Sequence, residues 1–400
     1  MAYCYVAGVE THKPTFSIEE IIVKKKNTRH QDAYAKSGVR YSDMDPFKRL
    51  AMERGSRTAK NIRYLDAEEV SESRGESAHL VRVNGLIIAH VEEGLGTLNL
   101  VADDMYRLTG SPVPYYRACS YGTVAMILND LATTGATPIS VLMHLAVGDS
   151  AWLADEKRNF EIVVGWAEAC DAEGCVWGGG ETATLKGIVN PHTAVFSGSA
   201  YGYSEETCIK DRIREGDEIV LLSSSGIHCN GLTLAREIAS KLPKGYLTPV
   251  SRQSCFGETL LFRTILYGKT IRSVLRERIP VSYAVNITGH GWRKLMRASG
   301  SWEYVIEQVP KPDPVFRFIQ KHGNVSDYDA YANLNMGAGF ALFVSPGSAD
   351  RVVVLASLHG IRALKAGYVA KAAKRGTKTV TIKRSGKQDI VFTEKDLQIR

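Results

Sequence analysis

The sequence predicts a mixed α+β fold divided into two domains. Three observations carry this. Strand-like and helix-like periodicities alternate along the whole chain, Asn84-Gly85 between two apolar runs signals an antiparallel hairpin, and the texture turns charged and polar at 211–216. The expected division is an N-terminal extension (1–33), a first domain (34–211), a second domain (212–370) and a basic tail (371–400).

The elements follow in order. Asp45-Pro46 opens a helix running to Ala59, and Leu80 to Val91 reads as strand, turn and strand. Tyr121 to Thr134 has apolar residues at Val124, Ile127, Leu128 and Leu131, the spacing of one helix face, with Gly135 as its cap. Pro138 to Val147 is a buried strand, and Phe160 to Glu173 is a helix closed by Gly174. Cys175 to Trp177 leads as a short strand into a loop at Gly178-Gly179-Gly180, and Thr193 to Tyr203 is a strand of a sheet interior. In the second half, Asp217 to Ser223, Tyr283 to Ile287 and Phe340 to Val344 read as strands. Leu232 to Leu242, Leu260 to Arg276, Trp292 to Arg297, Pro314 to Gln320 and Ala349 to Leu358 read as helices. Thr377 to Ile382 reads as a solvated edge strand guarded by lysines.

Composition narrows the function classes. The chain of 400 residues is 44% hydrophobic and 23% charged, ordinary for a water-soluble globular protein. No apolar run reaches the roughly 20 residues needed to span a bilayer, and no signal pattern opens the chain, so a cytoplasmic location is expected. Seven cysteines without a Cys-x-x-Cys pair read as reduced thiols. The net charge of +7 gathers partly at Lys24-Lys25-Lys26 and in the tail. Without interleaved aromatics this does not indicate nucleic-acid binding; it suits an enzyme that collects phosphorylated metabolites.

Four glycine segments carry the chemistry. Glu93-Gly94-Leu95-Gly96-Thr97 follows a strand; its carboxylate beside free amides suits Mg²⁺ bridged to phosphate. Gly179-Gly180-Glu181-Thr182-Ala183 demands an unusual backbone path next to a carboxylate. Ser224-Ser225-Gly226-Ile227-His228-Cys229-Asn230-Gly231 lies between a strand and a helix, where amides favour an anion and His228 can donate to phosphate or move a proton. Ile287-Thr288-Gly289-His290-Gly291 repeats the same logic. Asn129-Asp130 offers a cation ligand or a solvated helix face. The Ser/His pairing lacks the elbow of a hydrolase. Together the segments suggest a phosphate-rich ligand held from several sides.

In this order the segments resemble the aminoimidazole ribonucleotide synthetase family, the phosphoribosylformylglycinamidine cyclo-ligases. Its Asp-Gly-Val-Gly-Thr-Lys pattern appears as Glu93 to Leu98, and its Asn-Asp…Gly-Ala-x-Pro pattern as Asn129, Asp130, Gly135, Ala136 and Pro138. Gly-Gly-Glu-Thr-Ala is intact at 179–183, Cys229 stands for Ser in the third segment, and His290 stands for Gly in the fourth. The resemblance implies a homodimer in which the first-domain sheets form a barrel, with an α/β sandwich as second domain. It also implies ATP and Mg²⁺ as cofactors. It casts Glu93, Asp130 and Glu181 as metal ligands, with Gly94, Gly96, Thr97, Asn129, Gly179, Gly180 and Thr182 around the nucleotide. Ser225, Gly226, Asn230, Gly231, Thr288 and Gly289 would meet the substrate, and His228, Asp130 and Glu181 would be catalytic.

The chain departs from the pattern at Lys36 and Arg40, where the family has acids that Asp43 and Asp45 are placed to replace. It also has Leu98 for a phosphate-facing lysine and Phe262-Arg263-Thr264-Ile265 for Thr-Pro-Thr-Arg. Two other readings stay open: a related phosphotransferase with a different acceptor, and a non-catalytic nucleotide-binding protein of the same fold.

Overall fold

The computed structural model describes residues 41–204 and 211–396, so Lys36 and Arg40 lie outside the described residues. After helix α1 (Tyr41–Ser56) come strands β1 (Ala67–Glu69), β2 (His79–Val83) and β3 (Leu86–Gly94). Helices α2 (Leu98–Thr109) and α3 (Tyr115–Ala132), strand β4 (Thr137–Val147) and helix α4 (Glu156–Glu173) follow, then β5 (Val176–Thr184) and β6 (Ala194–Ser204). The six strands form one sheet in the order β1-β2-β3-β6-β4-β5. Its pairs are antiparallel except β4 with β5.

Alternation along β3 and β6 sorts the two faces of this sheet. Ile87, Ala89, Val91, Phe196 and Ala200 are buried beneath α2 and α3, while Leu86, Ile88, Val195 and Tyr201 stay exposed on the other face. Helix α3 is apolar nearly all round and is buried along its whole length. Such a helix has no solvated face, so Asn129 and Asp130 lie in the interior between the domains.

The second domain contributes β7 (Glu218–Ser223), α5 (Leu232–Lys241), α6 (Phe256–Leu260), α7 (Gly268–Arg276) and β8 (Val281–Asn286). A 3₁₀ helix (Gly291–Arg297) precedes β9 (Trp302–Ile306), α8 (Pro314–Gly323), α9 (Asp327–Asn333) and β10 (Ala338–Val344). Helix α10 (Ala349–Leu358) and strands β11 (Ala363–Lys371), β12 (Thr379–Ile382) and β13 (Ile390–Thr393) complete it. Seven strands form a sheet in the order β13-β12-β9-β11-β7-β10-β8. Strands β7 and β10 are buried at every position, as central strands covered on both faces must be.

Four local differences from the sequence reading have physical causes. The helix expected over 260–276 is broken: Asn129 Nδ2 donates to Ile265 O at 2.8 Å and Asn129 Oδ1 accepts from Tyr267 N at 2.9 Å, which requires non-helical backbone there. The Gly178–Gly180 run is part of strand β5 rather than a loop, because a Cβ on Gly180 would meet Met143 O at 1.9 Å and glycine alone lets β4 and β5 approach. Trp292 to Arg297 is 3₁₀, not α. Strand β12 is not an edge: it pairs with β9 and β13, and the basic tail supplies the last two strands at one end of the second sheet, with β13 outermost.

Among the described residues no helix is long and apolar enough to cross a membrane. Cys119, Cys170, Cys175, Cys229 and Cys255 are free thiols.

Candidate active site

A cavity of 640 Å³ opens between the two domains. Strand β3 delivers Glu92, Glu93 and Gly94 to its lining, the turn after it delivers Leu95 and Gly96, and α3 delivers Asp130. Gly96 has φ +74 with nothing near its missing Cβ, so the backbone turn rather than crowding requires glycine. The chain then enters α2, whose N-cap Thr97 makes no side-chain capping bond, leaving first-turn amides open to an anion. From the second domain come Cys229, Asn230, Asn286, Thr288, Gly289, His290, Lys294 and Arg297, and from α1 comes Lys48.

Acids and bases share one field here. Asp130 is buried and accepts a 2.6 Å hydrogen bond from Asn286 Nδ2. Burial, then the charge of Asp130, lifts Glu93 to about 7, while Lys294 pulls it back down. Lys294 donates to Thr288 Oγ1 at 2.6 Å. Burial, then Arg297, lowers its ammonium to about 8, against the pull of Asp130 and Glu93. His290, left-handed at φ 67, is pushed down to about 2 by burial and by Arg293, Arg297, Lys294 and Lys48, so its ring is neutral.

The sequence-predicted residues divide into two groups. Glu93, Gly94, Gly96, Asp130, Asn230, Thr288 and Gly289 are brought together around the cavity. The others lie elsewhere. Gly179, Gly180, Glu181 and Thr182 are exposed on β5 at the sheet edge, away from Glu93 and Asp130. Asn129 spends its amide on the 265–267 segment, as a clamp between domains. Among the described residues no group of three or more potential ligands is assembled to hold a metal on protein atoms alone. Asp45 is buried and does not line the cavity.

His228 faces its own turn instead of the cavity. Its Nε2 accepts from Ser225 N at 3.1 Å, and burial lowers the imidazole to about 4, so the ring is neutral. Gly226 N donates to Asp313 Oδ2 at 2.8 Å and Ser225 Oγ donates to Arg263 O at 2.6 Å. These groups, expected to meet a ligand, instead fix the loop. Gly231, with φ 78, caps α5 behind it. The loop's tip, Cys229 and Asn230, is what reaches the cavity.

The sequence reading missed Lys294, Arg297 and Asn286. One signal was present: once Leu98 stands where a cation is expected, a lysine close to another glycine segment is the place to look for its replacement.

Fold and site together define a two-domain protein with an interdomain cavity, acidic on one wall and basic on the other. The family model for the AIR synthase related protein N-terminal domain matches residues 108–203, and that for the C-terminal domain matches residues 214–380. The chain belongs to the AIR synthase related family. It is 30% identical over 340 residues to a phosphoribosylformylglycinamidine cyclo-ligase of Methanothermobacter thermautotrophicus, covering 84% of this chain and 94% of that one. It is 32% identical over 277 residues to the enzyme of that name from Methanocaldococcus jannaschii, covering 68% and 77%. Among solved structures, AaThiL complexed with AMPPCP and TMP matches with a TM-score of 0.57 at 12% identity, over 88% of this chain and 98% of that one. T. maritima PurL complexed with FGAR matches with a TM-score of 0.53 at 16% identity, over 83% of this chain and 49% of that one. These two likenesses establish the fold.

Proposed function

We propose that this protein is an ATP-dependent cyclo-ligase of purine biosynthesis that closes formylglycinamidine ribonucleotide to aminoimidazole ribonucleotide. The observation that carries the reading is the meeting of Glu93, Asp130, Asn230 and Thr288, from separate segments, in one cavity of a chain about 30% identical to cyclo-ligases. In this reaction the terminal phosphoryl group of ATP passes to the formyl amide oxygen. An internal nitrogen then attacks the activated carbon, the ring C–N bond forms, and the oxygen leaves with phosphate.

The chain's part is positional and electrostatic. Glu93 and Asp130 fit Mg²⁺, which takes one or two carboxylates and fills its remaining positions with phosphate oxygens and water. Mg²⁺, when bound, would draw negative charge from the phosphoryl group. Amides of Gly96 and Thr97 at the head of α2 would cradle the phosphates, the Leu95 amide being held by Phe196 O. Asn230, Thr288 and Gly289 would hold the ribonucleotide. His228, neutral and turned inward, keeps the 224–231 loop in shape for Asn230.

A homodimer is part of this proposal. Leu86, Ile88, Leu142, Val195 and Tyr201 expose an apolar face on the first sheet, the kind of surface that a second copy covers. A barrel built from two such sheets would use that face, and exposed Glu181 would then serve the partner's cavity. A cytoplasmic location fits the pathway.

The deciding assay combines the protein with ATP, Mg²⁺ and formylglycinamidine ribonucleotide and follows aminoimidazole ribonucleotide. ATP binding without any such product would turn the reading toward another acceptor.

A further inference from the structure

The cavity's two walls have opposite character. The first-domain wall offers Glu76, Glu92, Glu93 and Asp130. Leu98 supplies no cation there: it is 2% exposed and packs in the core with Val101 and Ala102. Apart from exposed Lys48 on α1, the cations stand opposite, on the 3₁₀ helix after the Thr288–Gly291 turn. That helix is firmly held, since Trp292 Nε1 donates to Asn335 O at 2.9 Å and Gly291 packs too close to Tyr331 O for any side chain.

Lys294 on this helix is 3% exposed and lines the cavity. Of its three N–H donors, one is used on Thr288 Oγ1, a neutral partner. Asp130 and Glu93 act on this buried ammonium through space and not by hydrogen bonds, so its other two N–H donors can meet an anion in the cavity. Three residues on, Arg297 also lines the cavity, and its buried Nε has no hydrogen-bond partner among the described residues. Two donor-rich cations therefore face the two acids across a space large enough for a polyphosphate.

We propose that Lys294, with Arg297 beside it, grips the terminal phosphates of the nucleotide from the second domain. The cation that Leu98 no longer provides is thereby relocated across the cleft. This rests on the nucleotide-binding reading above. The nearness of the Glu93–Asp130 pair, suited to metal-bridged phosphate, favours the nucleotide over the 5′-phosphate of the ribonucleotide as the group bound.

Calorimetry on the full chain with Mg²⁺ tests it, using inorganic triphosphate and ribose 5-phosphate as probes. Lys294→Met should weaken triphosphate on the order of 10- to 100-fold and leave ribose 5-phosphate unchanged, while Lys294→Arg keeps most of the affinity. Equal triphosphate affinity in Lys294→Met and wild type overturns the assignment, as does a loss confined to ribose 5-phosphate or no triphosphate binding by wild type. If Lys294→Met does not fold, Thr288→Val replaces it: this keeps the charge and frees it from its tether. A several-fold triphosphate loss then supports the role and an unchanged affinity refutes it. Lys294-dependent triphosphate binding without ring closure would sink the cyclo-ligase reading and leave this inference standing.

Discussion

Asn286 of the second domain donates a 2.6 Å hydrogen bond to Asp130 of the first, and both side chains are buried. The contact positions one acid of the cavity and joins the domains at the point where ligand would sit. Asn286→Ala should cost about 2 kcal/mol, because it strands a buried carboxylate oxygen. Chemical denaturation measures this; a change well under 1 kcal/mol would mean Asp130 finds another donor.

Glu93 bears on metal use. Because burial and Asp130 raise it to about 7, it holds its proton below that pH. A proton there competes with a cation, so Mg²⁺-dependent ATP affinity should strengthen as pH rises through about 7. Glu93→Gln should lose both the affinity and its pH dependence. Titrations at about pH 6 and about pH 8 decide it.

His228 contributes to acid stability. Its folded value, about 4, lies below the ordinary 6.5, so the unfolded chain binds a proton first as pH falls. The stabilisation is complete above 6.5 and disappears as pH falls through about 4, a change of roughly 3 kcal/mol. His228→Gln keeps an acceptor for Ser225 N and should flatten this slope in urea titrations. His290 adds slope of the same sign, so the measurement is the difference between the two proteins.

Gly339→Ala should be severe. The new Cβ would stand 1.9 Å from Tyr267 Oη and 2.8 Å from His228 Cε1. Tyr267 is fully buried and donates to Ser223 O at 2.8 Å, so it has no room to retreat. A loss of about 3 kcal/mol is expected, read as a lower denaturation midpoint, with weaker substrate use as the 224–231 loop shifts.

Glu181 tests the dimer. Glu181→Gln should abolish turnover at little cost in stability, since the side chain is exposed. If it acts in the partner's cavity, mixing inactive Glu181→Gln and inactive Glu93→Gln chains restores about a quarter of wild-type turnover by random pairing. No recovery after verified exchange would refute action in the partner's cavity, and wild-type turnover in Glu181→Gln alone would place the residue outside the reaction.

What the sequence made legible was mostly what backbone geometry dictates. Gly96, at φ +74, marks a turn, and the 93–96 and 287–291 segments do meet at the cavity with Asp130 and Asn230. The direction of a side chain was not legible: His228 has the same neighbours in sequence whether its ring faces ligand or its own loop. At 178–180 the unusual backbone path was legible, with Gly179 at φ +100, but the close approach of Gly180 to Met143 O was not, since a strand contact and an anion loop both demand a missing Cβ. The break near residue 265 was hidden because its cause, Asn129, lies far away in sequence. Lys294 was overlooked because a lysine on a short helix normally points to water, and only the packing of Gly291 and Trp292 turns it inward.

Strands β12 and β13 carry a consequence for handling the protein. They shield β9, whose outer side β12 occupies residue for residue from Glu303 to Ile306. A chain cut short near residue 372 would bare that row of N–H and C=O groups, an invitation to stack with other molecules. The lysine-rich end is thus the lid on a sticky seam, and shortened versions should leave solution as aggregates even though every group around the cleft is still present.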